Sequence, residues 1–170
     1  MAEDQQAQPT QDPQPQQQPS FQIEKIYVKD LSLEIPNAPQ VFVQQAQPQL
    51  EVQINTEGNQ FAEGYFEVSV SATVTAKAGE RTLFLAEAVQ AGIFSVRNVP
   101  AEELDPLLGI GCPTILFPYL RETISDVITR GGFPPVLLSP VSFEAIYMQR
   151  LQQAQAPQEQ GSPSKIELAR

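Results

Sequence analysis

Few side chains in this sequence could do covalent or acid–base chemistry, and their spacing restricts what that chemistry could be. The 170 residues include no histidine. The commonest general base and the imidazole metal ligand are therefore absent. A Ser–His–Asp triad, a Cys–His nucleophile pair and a histidine zinc site all go with them. What remains is carboxylates and one thiol. Glu122 and Asp126, in "RETISD", stand four residues apart and would share one face of a helix. A carboxylate-only hydrolase could use such a pair, although acids at this spacing far more often line a solvated surface. Cys112 is the single cysteine, so it forms no intrachain disulfide and no metal cluster. Nothing near it in sequence would lower its pKa, and it reads as a small packing residue. "GIG" at 109–111 lacks the third glycine and the preceding strand of a phosphate-binding loop. The residues point to no catalytic site, no cofactor and no metal.

The elements that position these residues are strands first and helices last. "FQIEKIYVKDLSLEIP", 21–36, is β-rich, with apolar positions Phe21 and Ile23, then Ile26 and Val28, then Leu31, Leu33 and Ile35. Each group has period two, but the phase flips twice, as a strand does at a bulge or in passing between environments. A proline-rich loop over 36–48 surrounds Val41-Phe42-Val43. "LEVQIN", 50–55, alternates as a half-buried strand. Residues 64–96 form two long strands around the turn "KAGE". A two-residue loop at Ala78-Gly79 would pair Val74 with Leu83, Ala72 with Leu85 and Val68 with Val89. In that register neither face is cleanly polar, so the sheet needs cover on both sides.

"AEELDPLLGIG", 101–111, predicts a short helical turn interrupted by Pro106. From 113, Ile115, Leu116, Tyr119, Leu120, Ile124, Val127 and Ile128 follow helical spacing. Pro118 has no N–H to give, so this helix begins near it or bends there. Arg130 and Gly131-Gly132 make its C-terminus. After the apolar loop "FPPVLLSPV", Ser142 caps a last helix that carries Glu144 in its first turn. Phe143, Ile146, Tyr147, Arg150 and Leu151 share one face of it. The order predicts an α+β fold with an antiparallel sheet of about four strands and two helices on one face. Two helices leave the other face and both apolar loops open, so self-association, binding of an apolar client, or both are expected.

Composition sets the remaining bounds. Residues 1–20 contain eight Gln and four Pro and almost nothing apolar, and 154–170 are similar. Neither can bury enough surface to offset its ordering entropy, so both read as disordered tails around a folded unit at 21–153. The net charge is −10, of which −3 falls in 1–20 and none in 154–170, which leaves −7 on the folded unit. Such a body repels nucleic acid and anionic membrane surfaces and favours a basic partner, or it merely keeps the protein soluble. No N-terminal run reads as a signal peptide and none approaches the ~18 apolar residues of a membrane span, so a reducing cytoplasm is expected. These residues leave three readings open. One is a non-enzymatic binding protein with sticky surface. Another is an α+β protein with a preformed pocket for one compact ligand. The last is the carboxylate-only hydrolase.

Three stretches carry a resemblance to a known family. They are "IEKIYVKDLSLEIPNAP" (23–39), "TVTAKAGERTLFLAEAVQAGIFSV" (73–96) and "GCPTILFPYLRETISDVITRGGFPPVLLSPVSFEAIYMQRLQQ" (111–153). Their long, irregular spacing resembles the SecB protein-export chaperones over about 21–153. The resemblance implies a four-stranded antiparallel sheet followed by two helices, assembled as a homotetramer, a dimer of dimers with helices between sheets. It implies a cytoplasmic chaperone, with no catalytic activity or cofactor, that holds unfolded precursor proteins and delivers them to the SecA ATPase. The SecA-docking positions match Asp30, Glu34, Leu85 and Glu87. The docking element of SecA is basic and holds zinc, so that metal belongs to the partner. The client groove implied by the family would use Phe42, Leu50, Val52, Ile54, Tyr119, Phe133, Val136, Leu137 and Leu138, with "GGFPP" as a mobile apolar flap. A tryptophan common in relatives falls at Ala46, which predicts a shallower groove there. In this frame the helix after Cys112 packs the oligomer.

Overall fold

The structure, a computed structural model, describes residues 18–43 and 47–155. Ala46 and most of the two expected tails lie outside the described residues. Ser20 nevertheless opens the first strand, and the last helix runs to Gln155. The strands are β1 (Ser20–Glu34), β2 (Gln49–Ala62), β3 (Tyr65–Ala78) and β4 (Arg81–Arg97). They form one antiparallel sheet in the order β1-β4-β3-β2, so β1 and β2 are its edges. The helices are α1 (Ala101–Pro106), α2 (Cys112–Arg130) and α3 (Phe143–Gln155).

Both phase flips in β1 are bulges. The register against β4 shifts between Ile23 and Lys25 and again between Val28 and Asp30. Each extra residue restores the phase. Phe21, Ile23, Ile26, Val28, Leu31 and Leu33 therefore all share the sheet face that α2 lies on, while Lys25, Tyr27, Asp30, Ser32 and Glu34 share the other. A strand without bulges could not hold all six apolar residues on one side.

The β3–β4 register differs from the expected one. The loop is Gly79-Glu80, with Ala78 opposite Arg81, and a bulge follows between Ala76 and Lys77. Val74 faces Ala86, Ala72 faces Ala88 and Val68 faces Gly92. The slip is three residues, an odd number, so it exchanged the faces of β4 relative to β3. In the true register Phe66, Val68, Val70, Ala72, Val74 and Ala76 lie beside Phe84, Ala86, Ala88 and Phe94, all buried. The opposite face of β3 is polar: Glu67, Ser69, Ser71, Thr73, Thr75 and Lys77. The expectation that neither face is polar came from that slip. β2 also extends well past "LEVQIN". Its polar half, Asn55 to Ala62, pairs with Ser71 to Tyr65, because the backbone groups of a long β3 need partners whatever the side chains are.

Nor do the prolines break the helix as expected. α1 passes through Pro106 into a π turn, Leu107–Gly111, and on into α2. The Cys112 N–H reaches back five residues to the Leu107 carbonyl. A proline at 113 has no N–H for the Gly109 carbonyl, and a wider turn before it accommodates that loss. Pro118 lies inside α2, flanked by Leu116, Phe117 and Leu120, which are all buried. Burial of those side chains outweighs the roughly 3 kcal/mol that an interior proline costs. Past Arg130 the helix ends in a Schellman motif: Gly132 N–H bonds the Thr129 carbonyl and Phe133 N–H the Ile128 carbonyl, with Gly132 at φ +86°. α3 is capped by Ser142, whose Oγ accepts from the Ala145 N–H at 3.2 Å.

α2 lies over the middle of the sheet. Leu116, Leu120, Ile124 and Ile128 are fully buried against the even-numbered residues of β3 and β4. Gly92 permits the approach: a Cβ there would sit 3.0 Å from Leu116 Cδ2. α3 rests on the π turn, where the Tyr147 ring crosses Gly109 so closely that a Cβ would lie 2.6 Å from it. Tyr147 donates to Asp105, and Arg150 donates to the Thr56 carbonyl at 2.7 Å.

Candidate functional site

The four residues expected on a partner-docking face come together on the side of the sheet away from α2. In the β1–β4 register Asp30 sits opposite Val89, Ser32 opposite Glu87, and Glu34 opposite Leu85. They fill three successive rows of one face. Asp30, Glu34 and Glu87 are exposed, and Leu85 is half-buried among them. Glu87 accepts a hydrogen bond from Thr73 Oγ1 at 3.1 Å. Among the described residues none of the three carboxylates has a lysine or arginine within ion-pair distance. The same face adds Glu51, Glu57 and Glu67 against Lys25, Lys29, Lys77 and, at its far end over the Tyr65 ring, Arg97. Two of those lysines are already engaged, Lys77 with Glu51 and Lys29 with Glu67. The surface is thus negative with an apolar Leu85–Val89 spine, which suits a basic partner.

The residues expected on a client groove separate into groups. Leu50, Val52 and Ile54 lie on the α2 side of β2, beyond the reach of α2, and Leu50 and Val52 are each 46% exposed. Phe42 and Phe133 meet at 5.3 Å between centroids, and Phe133 packs against Phe84 at 4.7 Å with the rings tilted by 48°. Phe42 and Phe133 line a groove of about 760 Å³ with Val41, Pro48 and Leu83, and with the charged Glu80 and Arg81 at the β3–β4 turn. Asn37 Nδ2 holds the preceding loop to the Thr82 carbonyl. Leu137 is exposed on the helix-connecting loop and lines a separate hollow with Pro118 and Arg121 of α2. Tyr119 is exposed on α2, and Val136 is half-buried. Leu138 is only 2% exposed and belongs to the core. The loop expected to be a free flap is therefore pinned at Phe133 and Leu138, with Leu137 outward between them.

Sequence reasoning missed two features. Ile23, Val28 and Leu31 form an open apolar row on the α2 side of β1, the opposite edge from Leu50 and Val52. α2 covers the centre of the sheet and leaves a sticky margin along each edge. On the outer face, Tyr27 donates to Glu67, which also receives Lys29 Nζ at 2.7 Å. Those donors hold the Glu67 carboxyl below the usual range, and the carboxylate pushes the Tyr27 phenol up to about 12. Only the bulges, which bring Tyr27 and Lys29 to that face, could have signalled this cluster.

The candidates for chemistry do not assemble into a site. Cys112 is fully buried, and burial alone pushes its thiol up to about 12, so it is no nucleophile. Asp126 is paired with Arg130 at 2.7 Å along the helix surface. No group of acids and cysteine among the described residues could hold a metal. No helix among them is long and apolar enough to cross a membrane.

Comparison with known proteins identifies the family and the fold. The family profile described as "SecB: Preprotein translocase subunit SecB" matches residues 14–154. A protein-export protein SecB of Chromobacterium violaceum is 63% identical over 140 residues, 82% of this chain and 93% of the relative. One from Ralstonia pickettii is 55% identical over 161 residues, 95% of this chain and 90% of the relative. Among solved structures, a SecB-like chaperone of Mycobacterium tuberculosis, in complex with a ChAD peptide from an antitoxin, superposes with a TM-score of 0.60 at 20% identity. That match covers 72% of this chain and 91% of the other, and shows the same fold. With a profile match over most of its length and relatives this similar, the chain belongs to the SecB family of protein-export proteins.

Proposed function

We propose that this chain is a non-enzymatic chaperone of protein export that uses the two sides of one sheet for two partners. Unfolded precursor segments bind on the α2 side, along the β2 margin and the Phe42–Phe133 groove. The SecA ATPase docks on the outer side, at Asp30, Glu34, Leu85 and Glu87. The chain works in the cytoplasm as a homotetramer, a dimer of dimers, and the open row on β1 is the surface that a second copy would cover. The observation that carries this reading is the segregation of surface: apolar margins on one face of the sheet, and on the other Asp30, Glu34 and Glu87, which no lysine or arginine among the described residues pairs.

Unfolded chains of unrelated sequence share only apolar side chains and backbone. A long apolar margin contributing ~25 cal/mol per Å² binds them without any one strong contact. A basic partner is drawn to the outer face by field and held by contacts that salt weakens. The test has two parts. The protein should suppress aggregation of a denatured precursor at stoichiometric ratio and bring down SecA from solution. Binding a single compact ligand while ignoring unfolded chains would favour the pocket reading instead.

A further inference from the structure

Phe61 is the extra residue of a bulge in β2, between Gln60 and Ala62. Bulges re-aim side chains. This one leaves Phe61 57% exposed in an otherwise polar run of an edge strand, with its ring 6.2 Å from that of Tyr65. Phe61 walls a cleft of about 230 Å³ with Tyr27, Asn59, Glu67 and Ile93. The register puts Tyr27, Asn59, Glu67 and Ile93 on the outer face of the sheet. The Glu67 charge is already answered by Tyr27 and Lys29, so the cleft is a preformed, mostly apolar hollow and not another acidic spot. It has room for one large apolar side chain and carries one amide, Asn59, for a backbone partner.

The cleft and the acidic patch lie on the same face of the sheet. Ile93 and Leu85 lie on the same face of the same strand, eight residues or about 26 Å apart. Val89 lies between them on that face.

We infer that this cleft is a second docking point for the basic partner of the outer face, receiving a large apolar side chain about 13 to 26 Å along the strand from the rows that hold Asp30, Glu87 and Glu34. The carboxylates steer the encounter, and the cleft fixes orientation by burying one anchor. This inference rests on the docking reading above, and the experiment separates the two. SecA is titrated against the full chain, its Phe61→Ser and Phe61→Leu variants, and Glu87→Lys, at low and high salt. Circular dichroism checks each fold. Phe61→Ser should weaken SecA on the order of tenfold, the scale of one buried apolar side chain, by a factor that salt does not change. Phe61→Leu should keep most of the affinity, and unfolded precursors should bind Phe61→Ser as they do the wild type. If Phe61→Ser binds SecA normally while Glu87→Lys does not, the second docking point is wrong and the acidic face stands. If Phe61→Ser weakens SecA while Glu87→Lys does not, the cleft stands without the patch. If Phe61→Ser weakens precursors instead, the assigned partner is overturned.

Discussion

Glu87 takes one hydrogen bond, from Thr73, and forms no ion pair among the described residues. Replacing it by lysine removes little from the fold and reverses a charge in the middle of the acidic patch. Glu87→Lys, and likewise Asp30→Lys, should weaken SecA on the order of tenfold while leaving precursor affinity within twofold. Wild-type affinity for SecA should also fall with added salt, which titration calorimetry at two ionic strengths would register. Glu67 behaves differently because it is already paired. Its folded carboxyl titrates below the unfolded value of 4.5, so its contribution is complete above that value. As pH falls from 4.5 through the folded value, the unfolded chain takes up the proton first and that stability is lost. The pair is partly exposed, so the loss should be a few tenths of a kcal/mol. Urea midpoints from pH 3 to pH 6 should show it in the wild type and not in Glu67→Gln. The proposed docking residues were legible only as a family pattern. Charge count suggested a basic partner, but placing Glu87 beside Asp30 and Glu34 needed the β1–β4 register.

β2 and the helix-connecting loop carry the proposed client surface on the α2 side. Val52→Ser and Leu137→Ser each remove one exposed apolar side chain from a surface read as non-specific. Each should weaken three unrelated unfolded precursors alike, by roughly 1–2 kcal/mol, and leave SecA affinity unchanged. Loss of one precursor alone would mark a sequence-specific pocket. The contact between α3 and the π turn can be tested by Gly109→Ala. Its Cβ would lie 2.6 Å from the Tyr147 ring, so the ring must move away from Asp105 or the backbone must shift. A destabilisation of about 1–3 kcal/mol in urea is expected. Elements were readable in proportion to how local their cause is. The bulges of β1 showed in its apolar phase, and Ser142 and Gly131-Gly132 marked helix ends by backbone chemistry. The β3–β4 register was not readable. Ala78-Gly79 and Gly79-Glu80 both offer a glycine to the turn, and the extra residue of the bulge, Leu83, is hidden in the unbroken apolar run Leu83-Phe84-Leu85. The prolines of α1 and α2 misled for the opposite reason, since packing from distant strands overrides a local preference for breaking the helix.

The whole molecule leaves apolar margins on both edges of its sheet, more than one α2 can cover. Sedimentation should therefore give a particle near four times the 18.7 kDa chain, and a stable monomer at micromolar concentration would contradict the proposed assembly. The α+β order and the need for cover were legible from strands preceding helices. Which surfaces stay open was not, because that depends on where α2 comes to rest across β3 and β4. The central claim is that opposite sides of one sheet serve different partners at the same time. The most direct measurement is the affinity of SecA for the chain saturated with an unfolded precursor, compared with its affinity for the empty chain. Separate faces predict a ternary complex in sedimentation and a SecA affinity no weaker than that of the empty chain. Displacement of the precursor by SecA, or of SecA by the precursor, would mean that both occupy one surface and would contradict the account.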